Sequence, residues 1–346
     1  MASVADNEQK SQGPLRVGLI ADGAGLAALS PVIDACVLIQ PLGQAGLPPS
    51  AGLPEVPRFE DARLLLAQPG LEAVLLATAT RSDVALETMA SERGLHVWRL
   101  PPLARSFAEA TEVMTRLRRL STVYRVASWW EYVTDHVWNE LRWPTDFAPL
   151  FSDLRVSVRG PLPTAWPARL ADAAGGALAH AGYPLVEALV AVRGLPDRVA
   201  GVIGKCRQGA TGPTRETEDT AAAILHYADG GTAVIRAAWD LPPFEQQLAH
   251  HGRTNSATLT DEEIVLTDAD GNVVDRRPLP GEFLANELLR FVEFIRGQAR
   301  DRASAPLERH LAVNALLEAV YLAARTGHPE SPRKFYQLQG WPEPRT

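Results

Sequence analysis

The chain has 346 residues, of which 46% are hydrophobic and 22% charged, the balance of a globular protein with chain enough for about two domains. A net charge of −7 argues against a broad nucleic-acid surface, and the two cysteines, Cys36 and Cys206, form no CxxC pair, which argues against a disulfide framework or a thiolate metal site. Residues 1–14 are polar, lack the apolar core of a signal peptide and are expected to be disordered; no apolar run approaches the ~20 residues of a membrane span, so a cytoplasmic protein is expected.

The first ordered unit is expected over 15–122. Leu15–Ile20 predicts a strand, and Ala21–Ala27 a turn into a short helix. Ala35–Gln40 predicts a second strand, followed by a Pro/Gly-rich loop to Pro57, then a helix over Phe59–Gln68. Leu71–Ala77 predicts the third strand, and Ser82–Arg93 an amphipathic helix closed by Gly94. His96–Trp98 is a short buried-strand run stopped by Pro101-Pro102, and Ser106 caps a helix to about Leu120. Strands alternating with helices predict parallel βαβ units and a Rossmann-like sheet, whose strand ends open onto a ligand crevice.

A differently built unit is expected over 123–328. Val123–Ser128 predicts a strand, Trp129–Leu141 an aromatic-rich helix, Phe151–Arg159 a strand, and Gly175–Arg193 a helical stretch in which Pro184 either kinks the helix or begins a new one. The period then changes to two over Arg198–Arg207, Thr220–Tyr227, Thr232–Trp239, Ala257–Leu259, Glu263–Thr267 and Val273–Arg276, with Asp229-Gly230-Gly231 and Asp270-Gly271-Asn272 as turns. That pattern predicts an antiparallel meander. Phe283–Gly297 and Leu307–Thr326 are two closing helices, and 329–346 reads as a tail. The fold class expected is therefore a Rossmann-like parallel domain plus an α+β domain with a large, open, mainly antiparallel sheet.

This order resembles the Gfo/Idh/MocA family from about Leu15 to about His328. The resemblance is carried by ATAT at Ala77–Thr80, HVWRLPPLA at His96–Ala104, GGALAHAGYPLVEAL at Gly175–Leu189, EDTAAAILHYADGGTAVIRAAW at Glu218–Trp239 and AVNALLEAVYLAARTG at Ala312–Gly327. It implies a nicotinamide cofactor on the first βα turn and a substrate hydroxyl beside the Glu-Lys-Pro segment. Here that segment reads Arg99, Leu100, Pro101, so Leu100 stands at the lysine. In HAGYP, His180 stands at the family's aspartate and Pro184 at its histidine; Asp83 stands where a histidine is usual. Leucine and proline have no titratable proton and can be neither acid nor base.

A GxGxxG turn lets the backbone approach a pyrophosphate at a helix N-terminus. The matching run is Ala21–Leu26, which keeps Gly23 and Gly25 and adds the negative charge of Asp22. Gln40 lies at the spacing of the ribose-binding acid. Cofactor contacts are thus expected from Asp22, Gly23, Gly25, Gln40, Thr78 and Arg99, with NAD or NADP bound weakly or not at all. His180 and Tyr183, three residues apart, read either as an acid/base pair or as a pocket-lining histidine and a buried tyrosine. Trp129 and Trp130 read as a stacking surface or as core, and Arg169 as an anion contact or a surface arginine. His250-His251 should point to opposite faces of a strand and hold no metal. The expectation is a protein on an oxidoreductase fold that has lost hydride transfer and serves a binding, regulatory or subunit-partner role. The alternative is a divergent NAD(P)-dependent oxidoreductase acting on a sugar or cyclitol. A homodimer or higher assembly is expected through the open sheet, with a sugar-like molecule as candidate ligand and neither nucleic acid nor membrane as partner.

Overall fold

The structure is a computed structural model that describes residues 13–46, 52–78, 80–145, 147–162, 165–205, 215–297 and 305–344. Segment 1–12 and Cys206 lie outside the described residues.

The first unit is a six-stranded parallel sheet in the order β3-β2-β1-β4-β5-β6. Its strands are β1 (Leu15–Ala21), β2 (Ile39–Ala45), β3 (Arg58–Phe59), β4 (Ala73–Ala77), β5 (His96–Arg99) and β6 (Tyr124–Val126). Helices α1 (Gly23–Ala35), α2 (Ala62–Leu66), α3 (Thr80–Glu92) and α4 (Phe107–Leu117) connect them. The central strands are apolar on both faces, as a sheet covered on both sides requires: Val17, Leu19, Val74 and Leu75 are fully buried.

β2 lies later than its sequence suggested, at Ile39–Ala45 rather than Ala35–Gln40. Pro41 and Gly43 had read as loop. Pro41 is tolerated because β3 pairs only with Gln44 and Ala45, leaving the start of β2 as an edge. Gly43 is required by packing, since a Cβ there would lie 2.5 Å from the Phe59 ring. The expected Phe59–Gln68 helix is likewise shorter, because Phe59 is taken up by β3 and Asp61 caps the helix that follows.

The second unit begins with α5 (Trp129–His136), capped by Ser128, and is built on an eight-stranded sheet in the order β14-β13-β12-β11-β7-β10-β9-β8. The strands are β7 (Phe151–Val158), β8 (Arg198–Gly204), β9 (Thr220–His226), β10 (Thr232–Trp239), β11 (Glu245–His251), β12 (Asn255–Thr260), β13 (Glu263–Asp268) and β14 (Val273–Pro278). The sheet is no simple meander, because β7 inserts between β10 and β11 and runs parallel to β10. β11, EQQLAHH, escapes a sequence reading because its first three residues are polar and half-buried.

α6 (Ala177–His180), α7 (Tyr183–Arg193) and α9 (Ala305–Thr326) pack on one face of this sheet. Pro184 lies in the first turn of α7, so it begins a helix and does not kink one. α8 (Phe283–Ile295) returns to the first unit and packs on α1. Residues after 329 are more than a tail: Glu330 bridges Val199, and α10 (Arg333–Leu338) buries Tyr336 against Phe107. One apolar core runs through both units. Asn314 of α9 donates to Ala104 O at 2.8 Å, and Glu318 accepts from Phe107 N at 2.6 Å.

Candidate functional site

In a doubly wound sheet the ligand crevice lies beyond the C-terminal ends of the strands, here where Asp22 follows β1 and Thr78 follows β4. On the first unit's side, Asp22 is the N-cap of α1: its Oδ1 accepts from Gly25 N at 2.8 Å, while Oδ2 is buried without a hydrogen-bond partner. Gly23 is exposed, and a Cβ there would meet nothing within 4 Å. Gly25 has a different role. A Cβ there would lie 2.0 Å from Ala77 O, so this glycine lets α1 close onto β4. Thr78 is half-buried just beyond the end of β4.

Gln40 is outside the crevice. It pairs in register with Arg16 near the start of β1, at the opposite edge of the sheet, and is exposed. The spacing rule misplaced it because β2 starts late. The crevice end of β2 is Ala45 and Gly46, and the nearby Gln44 side chain is spent on Leu53 and Val56. Among the described residues at this strand end there is no carboxylate to hold ribose hydroxyls.

Arg99 ends β5 but turns inward. It is 1% exposed, ion-paired with buried Glu87 of α3, and donates to Leu103 O at 3.1 Å. Leu100 is half-buried against the core under α1. Asp83 falls on α3, and its side chain lies outside the described set.

On the second unit's side, α6 is held by a carboxylate. Glu218 accepts from Gly176 N at 2.6 Å, from Leu178 N at 3.1 Å and from Tyr321 Oη at 2.8 Å. Burial raises the Glu218 carboxyl despite these bonds. Gly175-Gly176 is needed here, since Cβ atoms would come within 2.1 Å of Tyr321 Oη and 2.0 Å of Glu218 O. This anchor presents His180 to the crevice. Its imidazole is solvent-accessible and packs edge-on to Trp239 with ring centres 6.3 Å apart. Desolvation by the crevice walls lowers its pKa, and the Asp22 carboxylate opposes that shift. Asp22 and His180, far apart in sequence, are thus close enough for the carboxylate charge to act on the ring.

Tyr183 goes the other way. It is 1% exposed, and its hydroxyl is bonded to His310 Nδ1 at 2.9 Å, inside the core. The structure does not bring it beside His180 as an acid/base pair. Its burial is the second of the two readings the sequence left open, and it lies among buried polar contacts whose partners the sequence did not show. Ser128 Oγ donates to Glu187 on α7, and Ser128 N donates to Glu287 Oε2 on α8 at 3.2 Å. Arg125 of β6 bridges Glu287 at 3.0 Å and Glu131 at 2.5 Å. Burial pushes the Glu187 carboxyl up to about 7, against the Arg309 guanidinium and the Ser128 bond. The only signal in the sequence was charge inside apolar helices, such as Glu187 in YPLVEALV.

Trp130 is buried and Trp129 packs partly on the core. Arg169 is paired with Asp172 at 2.5 Å near the surface. His250 is buried on Ser152 and His251 bonds Ser256 on the opposite face, as the strand period required. Among the described residues no group of three or more His, Cys, Asp or Glu is placed to hold a metal, and no helix is long and apolar enough to cross a membrane.

A parallel Rossmann-like sheet facing a large, mostly antiparallel sheet across such a crevice is the fold of Gfo/Idh/MocA-type oxidoreductases. Residues 152–258 match the family model of the GFO/IDH/MocA C-terminal domain. Solved structures share the whole architecture. Biliverdin reductase from Synechocystis, solved with biliverdin and NADP+, is 16% identical with a TM-score of 0.71, covering 90% of this chain and 99% of that one. A 3-ketoreductase mutant from Actinomadura kijaniata, solved with TDP-benzene and NADP, is 17% identical with a TM-score of 0.74, covering 90% and 98%. An oxidoreductase from Thermotoga maritima is 16% identical with a TM-score of 0.72, covering 93% and 99%. No curated protein sequence matches the chain.

Proposed function

We propose that this chain is a crevice-binding protein on an oxidoreductase fold, with a binding, regulatory or subunit-partner role in place of hydride transfer. The observation that carries this reading is Asp22. A dinucleotide pyrophosphate needs the free N–H groups and positive end of a helix. Here the chain's own carboxylate already takes the Gly25 N–H, and its second oxygen is buried beside the same place. The residues present do not fit that group. Leu100 and Pro184 supply no proton-transfer chemistry, and Tyr183 is locked in the core. His180 remains as the exposed titratable group within the electrostatic reach of Asp22, suited to binding a polar, sugar-like molecule.

The second reading is a divergent NAD(P)-dependent oxidoreductase acting on a sugar or cyclitol, with His180 as the proton-transfer group. It is favoured by the accessible, low-pKa ring of His180 and by the NADP found in structural neighbours. Native mass spectrometry of the purified protein, followed by a sugar and inositol panel with NAD and NADP, separates the two. The first reading expects no co-purified dinucleotide and no change in nicotinamide absorbance. Turnover that disappears in His180→Ala would establish the second.

A further inference from the structure

Where the chain crosses from the first unit to the second, charged side chains of β6, α5, α7, α8 and α9 meet inside the protein. Arg125 of β6 is buried between Glu131 of α5 at 2.5 Å and Glu287 of α8 at 3.0 Å. Arg290 of α8 is shared between Glu131 and Asp135. Each of these acids has a guanidinium beside it. Glu187 of α7 is placed differently. The Arg309 guanidinium of α9 is 3.6 Å away, too far for a hydrogen bond. Glu187 bonds instead to the neutral hydroxyl of Ser128, the residue at which the chain crosses between units.

Glu187 is 1% exposed. Ionised, it would be a buried charge with Glu131 and Glu287 as like-charged neighbours and one distant cation. The other groups around it do not offset that charge. His310 of α9, whose Nε2 is 4.0 Å away, is held neutral by burial, its pKa pushed down to about 3. Tyr183, one turn earlier on α7, has a hydroxyl that burial raises well above its ordinary value. β7 and β11 also pack on α7, but Asp153 pairs with Arg155, Glu245 acts on Arg155, and His250 and His251 bond Ser152 and Ser256. On α6, His180 lies under the charge of Asp22. Desolvation accordingly raises the Glu187 carboxyl to about 7.

Ser128 ties the units together from both sides. Its hydroxyl bonds Glu187 in the second unit, and its N–H bonds Glu287 on α8, the helix that packs back on the first. A charge on Glu187 would set two carboxylates against each other across this one residue. We propose that Glu187 and Ser128 form a proton-linked latch between the units: the neutral acid holds the junction closed, and loss of its proton draws water to the carboxylate and loosens it. The latch does not depend on what the crevice binds. The closed junction holds the proton more tightly than the loosened one, so rising pH favours loosening between the ordinary 4.5 and about 7.

Hydrogen exchange of the full chain, corrected for the intrinsic effect of pH, tests this. Protection of the amides of β6, Ser128 and α7 should fall about tenfold from pH 6 to pH 8, while β4 keeps its protection. Glu187→Gln keeps a group that can bond Ser128 but cannot ionise, and its junction should be equally protected at both pH values. Infrared spectra of the natural protein should show the C=O band of a neutral carboxyl that disappears through about pH 7 and is missing from Glu187→Gln. Arg309→Gln, which removes the one nearby cation, should move that midpoint upward. Junction protection that does not change with pH, an equal fall in β4, the same fall in Glu187→Gln, or a carboxyl that titrates in the ordinary range would each overturn the proposal.

Discussion

A carboxylate at the start of α1 stabilises the chain with no ligand present, because it satisfies a helix N–H that would otherwise be unpaired; such caps are worth about 0.5–2 kcal/mol. A pyrophosphate at the same place would meet that charge. Two unit charges about 6 Å apart repel by roughly 2–3 kcal/mol at an effective dielectric of 20. Asp22→Ser separates the two effects, since serine caps as well as aspartate but carries no charge. Its melting temperature should stay close to that of the natural protein while NADH affinity rises about tenfold or more, the factor for ~1.4 kcal/mol. A fluorescence titration of both proteins decides it, and equal affinities would show that the carboxylate does not oppose the cofactor. Glu187 offers a second test. Its folded pKa of about 7 lies above the ordinary 4.5, so its contribution to stability is fully present below about pH 4.5 and is lost as pH rises through about 7. The shift corresponds to about 3 kcal/mol at pH 8. Glu187→Gln should therefore gain more in melting temperature at pH 8 than at pH 5. A difference between the proteins that does not change with pH would count against a raised carboxyl.

Helix α1 and strand β4 touch because Gly25 has no side chain. Gly25→Ala must force the two apart or displace the Ala77 carbonyl, and overpacking of this kind costs about 1–3 kcal/mol. A clearly lowered melting temperature is expected, whereas Gly23→Ala, which meets open space, should be near neutral. The comparison also shows what could be read from sequence. The glycines were visible, but their division of labour was not, because it depends on what lies across from each. Periodic elements such as β4, α4 and β10 could be read directly, since their apolar spacing is set by the core they face. β2 and β11 could not, because Pro41 and Gly43 are permitted by an edge and by Phe59, and Glu245–Gln247 are only half covered. At the crevice, Asp22 and His180 were each legible as candidates, but that the charge of one acts on the ring of the other depends on the tertiary fold. Tyr183 was legible as a buried tyrosine, but its partner and that of Glu187, His310 and Ser128, lie 127 and 59 residues away and were not.

The helices cover one face of the eight-stranded sheet and leave the other with exposed apolar side chains, Val202 at 66% and Ile224 at 60% on adjacent strands. A second copy packed on that face is expected, giving a homodimer or higher assembly. Light scattering should report at least a dimer at micromolar concentration, and Val202→Asp with Ile224→Asp should convert it to a folded monomer. A monomeric natural protein would end that expectation.

The place of β7 in this sheet also matters while the chain is being made. β7 leaves the ribosome first among the eight strands, yet both of its neighbours, β10 and β11, follow it by many residues, β11 ending at His251. At a synthesis rate of about 5–20 residues per second, β7 waits on the order of 5–20 s with both edges unpaired. The parallel sheet before it has all its strands in place by Val126 and can close in the meantime. A nascent chain halted between β9 and β10 should therefore hold a protease-resistant first unit and an exposed, chaperone-binding β7, and the crevice between the units comes into being only once β10 has been made.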